Sequence, residues 1–67
     1  MQIISKESAA AFLISKKRQG FISAKTWNEI KKKWQECKSE NDYIQLAKAI
    51  YIRIAVANGI YPLSYFN

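Results

Sequence analysis

Acid–base and nucleophilic catalysis draws on histidine, on paired carboxylates, or on an activated thiol or hydroxyl in a shaped pocket. This chain has no histidine and one cysteine. Its acids are Glu7, Glu29, Glu36, Glu40 and Asp42. Glu29 and Glu36 share a helix face, but lysines bracket them at salt-bridge spacing, Lys33 with Glu29 and Lys32 with Glu36. Cys37 continues an apolar seam of Trp27, Ile30 and Trp34, the setting of a small buried hydrophobe and not of a reactive thiol. Gly20 and Gly59, the two glycines, cannot build a glycine-rich phosphate loop, and no zinc-ligand spacing exists without histidine. These residues point away from an enzyme, and neither a metal nor a cofactor is expected.

The basic residues carry more information. Residues 1 to 38 hold nine Lys and Arg against Glu7, Glu29 and Glu36, whereas residues 39 to 67 set Lys48 and Arg53 against Glu40 and Asp42, so the whole net charge of +6 lies in the first part. That asymmetry suits an anionic partner: nucleic acid, an acidic protein or a membrane surface. Each cluster also has a purely structural reading. Lys16, Lys17 and Arg18 would complement the dipole at a helix C-terminus, and Lys31 flanks the apolar seam while Lys32 and Lys33 pair locally. Taken together they gain weight. If the first two helices form an antiparallel hairpin around Gly20, then Lys16, Lys17, Arg18, Lys25, Lys32 and Lys33 make a basic ridge. Lys32 would stand ~10 Å along the second helix from Lys25, a span that meets two or three phosphates in a salt-sensitive, largely sequence-independent way.

Base-specific readout has less behind it. A helix–turn–helix wants a small residue four before the turn glycine and an apolar one about six after it; Lys16 and Thr26 stand there. Trp27 and Trp34 could stack on single-stranded bases, but with Ile30 between them they read as core. Trp34→Ala is accordingly expected to cost about 3–5 kcal/mol, as for a buried aromatic.

Three helices must position these groups. The organising stretch is residues 43 to 57, where Tyr43, Leu46, Ala47, Ile50, Ile54 and Ala57 form a broad apolar face at ~100° per residue. Ala49, Ile52 and Val56 make a second strip, so this helix should have neighbours on two sides. Ser39 with Asp42 has capping-box form, and Asn58-Gly59 stops the helix. Upstream, Ser5 is the N-cap of a first helix whose alanines, Ala9 to Ala11, permit close approach, and Gly20 ends it. Ser23 caps the second helix, with Ile22 and Trp27 as a hydrophobic staple; Thr26 followed by Glu29 is the alternative cap. Pro62 prevents a regular helix in the tail, whose Ile60, Tyr61, Leu63, Tyr65 and Phe66 are too apolar for a solvated end.

The reading is an all-α, three-helix domain over residues 1–67, with helices near 6–19, 24–38 and 40–57, the last one central, and an ordered irregular tail. At 67 residues, 49% of them hydrophobic, the chain affords one small core, with no disulfide to support it. A homodimer through Ala49, Ile52, Val56, Tyr61, Tyr65 and Phe66 would supply that support; the alternative is that the tail covers the strip within one chain. No run of ~20 apolar residues predicts a membrane span, and no signal sequence is evident, so a cytoplasmic protein is expected. The expected function is non-enzymatic: a small regulatory or accessory protein binding nucleic acid through the basic hairpin face. The alternative is a protein-binding module or inhibitor acting on an acidic partner protein.

Overall fold

Three serines start the three helices of the computed structural model, which describes residues 2–59. Ser5 caps α1 (Lys6–Arg18): its Oγ accepts from the Ser8 N–H at 3.1 Å, and the Ser8 hydroxyl oxygen accepts the Ser5 N–H at 2.9 Å. Ser23, and not Thr26, caps α2 (Ala24–Glu36), its Oγ accepting from the Thr26 N–H at 3.2 Å. Ser39 caps α3 (Glu40–Ala57) through the expected box: Ser39 Oγ accepts from the Asp42 N–H, and Asp42 Oδ2 accepts from the N–H groups of Ser39 and Lys38 at 3.1 and 2.9 Å. These side chains satisfy amides that a helix start would otherwise leave unpaired. The helices match the expected ones, with α1 and α2 closing at Arg18 and Glu36, slightly short of 19 and 38.

Gly20 stops α1 in the left-handed region, at φ 87°. Its N–H donates to the Lys17 carbonyl and the Phe21 N–H to the Lys16 carbonyl, at 3.2 and 3.0 Å, the paired closure of a Schellman motif. Gly59 takes φ 72° after α3.

The box at α3 makes a pH prediction. The N–H bonds from Lys38 and Ser39 hold the Asp42 carboxyl below the usual carboxylate range. A carboxylate with a depressed folded-state pKa contributes stability that is present above the unfolded pKa and lost as pH falls through the folded one. Melting temperature should therefore fall more steeply with acidification in the wild type than in Asp42→Asn. Parallel curves through the acid range would remove this role for the box.

Two sets of contacts orient the layers. The Lys6 N–H donates to Glu40 Oε2 at 3.4 Å, and the Phe12 and Tyr51 ring centroids lie 5.7 Å apart. Early α1 thus meets early α3 and later α1 meets later α3, so the two run in the same sense. Trp34 lies 4.5 Å from Tyr43 between centroids, and Ile22 and Thr26 share a depression with Ile50 and Ile54; α2 therefore runs opposite to α3. The most extensive interface is α1 on α3, with α2 on α3 next, while α1 and α2 scarcely approach each other. α3 is central as expected, but its second strip, Ala49, Ile52 and Val56, is exposed among the described residues, so the neighbour expected on that side is not seen there. The antiparallel hairpin expected for α1 and α2 is correct in direction but not in packing, because α3 wedges between them at one edge and leaves a cleft at the other. The outcome is a plate of 31 × 29 × 15 Å.

The core comprises Ile3, Ala9, Phe12, Leu13, Ile22, Ile30, Ala47 and Ile50. Ala9 and Ala47 are completely buried, which is how small side chains let α1 and α3 close on each other. Trp27 and Trp34 are half-buried against this core and not within it, because the three-residue linker between α2 and α3 brings those helices together while α1 stands away. Ala57, assigned to the apolar face of α3, is exposed: it lies in the last turn, beyond the reach of α1.

Candidate functional site

The cations divide into two groups of different character. From Ser8 to Asn28 the chain holds Lys16, Lys17, Arg18 and Lys25 and no acid. These four end α1 and begin α2, on either side of the turn at Gly20. Phe21, in the same turn, is 46% exposed, so the turn combines concentrated positive charge with an aromatic face open to solvent.

Lys16 differs from its neighbours and departs from the expectation of a fully exposed position. It is half-buried, with Nζ 5.8 Å from the Phe12 ring centroid and 5.2 Å from that of Phe21, and it donates to Gln19 Oε1 at 3.4 Å. The ammonium sits at cation–π distance from both rings, and its stem covers the end of the core. Lys17 is half-buried, whereas Arg18 and Lys25 are exposed. The turn therefore offers Arg18 and Lys25 outward, with Lys17 partly covered and Lys16 held against the two rings.

The second group does not join the first in one ridge. Lys31, Lys32 and Lys33 are all exposed, but at ~100° per residue they point three ways. Lys32 shares the side opposite the tryptophan seam with Lys25, and also with Glu29 and Glu36. Lys31 and Lys33 fall on opposite flanks. The ridge expected from Lys16 to Lys33 thus contracts to the turn, where no acid lies between Lys16 and Lys25 in sequence and only Glu29, four residues after Lys25, shares a face with one of its cations.

A second feature lies between α1 and α2, a cleft of about 330 Å³. Leu13 and Ile30, almost fully buried, form its floor. Ala10 and Ile14 line the α1 wall, and Trp27 and Trp34 the α2 wall, with Lys31 on the lip. The seam identified in the sequence is therefore split: Ile30 belongs to the core, while each tryptophan packs one edge inward and presents the rest to the cleft. Sequence reasoning missed the cleft, and with it Leu13, Ile14 and Lys31 as site residues. The one available signal was Lys31 flanking the seam.

On α3, Ala49, Ile52 and Val56 are exposed, Ile52 by 41% and Val56 by 66%. The other interface candidates, Tyr61, Tyr65 and Phe66, lie outside the described residues. Cys37 is half-buried and donates its S–H to the Lys33 carbonyl at 3.3 Å. Burial, with Asp42 and Glu36 nearby, pushes its thiol pKa up, the direction opposite to the activation of a nucleophile. Among the described residues no cluster of three His, Cys, Asp or Glu side chains could hold a metal ion, and no helix is long and apolar enough to cross a membrane.

Compared with known protein families, with curated proteins and with solved structures, the chain matches none.

Proposed function

We propose that this chain is a small, non-enzymatic, cytoplasmic regulatory or accessory protein that binds nucleic acid by its phosphates at the α1–α2 turn. The observation carrying this reading is the acid-free run from Ser8 to Asn28, which sets Lys16, Lys17, Arg18 and Lys25 on either side of the turn that bears the exposed ring of Phe21. Lys17, Arg18 and Lys25 contact phosphate oxygens. Lys16 keeps the turn in shape and adds its charge from behind. Phe21 can stack on an unpaired base, an interaction available to any base because every base has a π-face. Binding of this kind is electrostatic, salt-dependent and weakly selective for sequence. Lys32 and Lys33 contribute less, because Glu29 and Glu36 share their surface. Titration of the protein at ~50 mM salt, where phosphate contacts are strongest, against labelled duplex and single-stranded oligonucleotides should show saturable binding of both. Absence of binding at that salt would overturn the reading.

An acidic protein partner is the second reading, favoured by the apolar cleft with a lysine on its lip.

Self-association belongs to the same proposal. The exposed strip of Ala49, Ile52 and Val56 supplies the apolar face of an isologous dimer. Ile52→Glu, at a position already exposed within one chain, should leave the helices intact and reduce a dimer mass to that of a monomer by light scattering, since an unpaired charge in an interface is costly. A dimer mass unchanged in the folded mutant would exclude the strip, and a monomeric wild type would exclude the dimer.

A further inference from the structure

We propose that the cleft between α1 and α2 is a docking groove for an amphipathic helix of a partner protein, one whose flanks are acidic. This goes beyond the turn and is independent of it, since the groove uses other residues.

The groove is open along its length and lined almost wholly by apolar side chains. Trp27 and Trp34 are seven residues apart on α2, which separates them by ~10 Å along the helix. Ala10 and Ile14 run opposite them on α1. Two helices of a small bundle that stand apart in this way leave the place that a further helix would occupy. The small side chain of Ala10 lets an incoming backbone come close. Bulky apolar residues on the partner at i, i+3 or i+4, and i+7 fall on one face and match the two tryptophan stations, the recognition pattern of a helix in a groove. A face of about two turns is what the groove can cover.

Charge selects the partner. Lys31, between the levels of the two tryptophans, is the charged side chain of the lining, and no acid lines the groove. Glu7 and Lys17 share the stripe of Ala10 and Ile14 at helical spacing, one beyond each end of that wall and both outside the lining. The charge that a bound helix would pass is therefore positive and lies on the α2 lip. A second copy of this chain is a poor occupant, because its exposed apolar strip carries Arg53 next to Ile52 and would bring like charge to Lys31. An acidic flank answers Lys31 and raises the rate and selectivity of encounter.

The chain's two tryptophans, Trp27 and Trp34, both line the groove, so their fluorescence reports its occupancy. The probe is a synthetic helical peptide of about four turns, with leucines on one face and glutamates on the flanks. It should shift the tryptophan emission to the blue, saturably. The same peptide with lysine flanks should bind about tenfold more weakly or worse. Lys31→Glu, an exposed change that circular dichroism should find folded, ought to reverse that preference. Ile14→Glu, on the wall and 45% exposed, should weaken the acidic peptide in the wild-type flank order. Equal binding of the two peptides, or no emission change with either, would overturn the proposal. Quenching by oligothymidylate without any response to the acidic peptide would also overturn it and assign the tryptophans to base stacking. A loss of oligonucleotide binding at the turn, by contrast, leaves the groove result unaffected.

Discussion

Truncating Phe12 to alanine is expected to lower stability by about 3–5 kcal/mol, the range for emptying a buried aromatic site, and to leave much of the protein unfolded at ambient temperature. Phe12 is 3% exposed and lies at the α1–α3 interface, where its ring is inclined 47° to that of Tyr51. It also carries the Lys16 ammonium above it, so the substitution removes a support of the turn together with the centre of the core. A domain of this size has a total stability of only about 5 kcal/mol or less to lose. Denaturant unfolding followed by circular dichroism measures the change. A loss below about 1 kcal/mol, the level of an ordinary surface substitution, would contradict the assignment of Phe12 to the core. Trp34→Ala should cost less than the expectation formed from its seam alone. The tryptophan is half-buried, and what it contributes is its inward edge and the tilted contact with Tyr43, of the order of 0.5–1.5 kcal/mol beyond area.

The helices were legible because their boundaries are local. A serine hydroxyl three residues before the amide it accepts from, and a glycine able to take positive φ, act within a few residues of chain. In α1 the apolar positions Ala9, Ala10, Phe12, Leu13 and Ile14 predict a buried side; Ala9, Phe12 and Leu13 are buried, whereas Ala10 is half-buried and Ile14 exposed. What periodicity could not reveal is how far an apolar face is covered. Trp27, Ile30 and Trp34 share one stripe, yet only Ile30 is fully buried, because coverage depends on where α1 stands. Ile3 and Ala55 are buried too, although Ile3 precedes α1 and Ala55 lies on neither apolar strip of α3. Tyr51 falls between the two strips of α3 and packs on Phe12. Lys16 was readable in part, since Phe12 precedes it by four residues, but the second ring, Phe21, reaches it only through the Gly20 turn. The basic ridge contracted because the angular spread of consecutive lysines decides which of them can act together, and the expectation had added charges across faces that diverge.

The most direct test of the nucleic-acid reading is the salt dependence of binding in charge variants. Lys17, Arg18 and Lys25 changed together to glutamine keep helix-compatible side chains at positions where no buried partner is lost, and Lys16 is left to hold the turn. Lys32 and Lys33 changed to glutamine make the comparison. Affinity for an oligonucleotide is then measured from low to moderate salt for both variants and the wild type. The slope of log affinity against log salt should fall by roughly 0.7–0.9 for each phosphate contact removed. The turn variant should therefore lose about two to three units of slope and most of its affinity at every sequence tested, while the Lys32 and Lys33 variant keeps a slope close to that of the wild type. Equal losses in the two variants, or a turn variant that binds as the wild type does, would contradict the account.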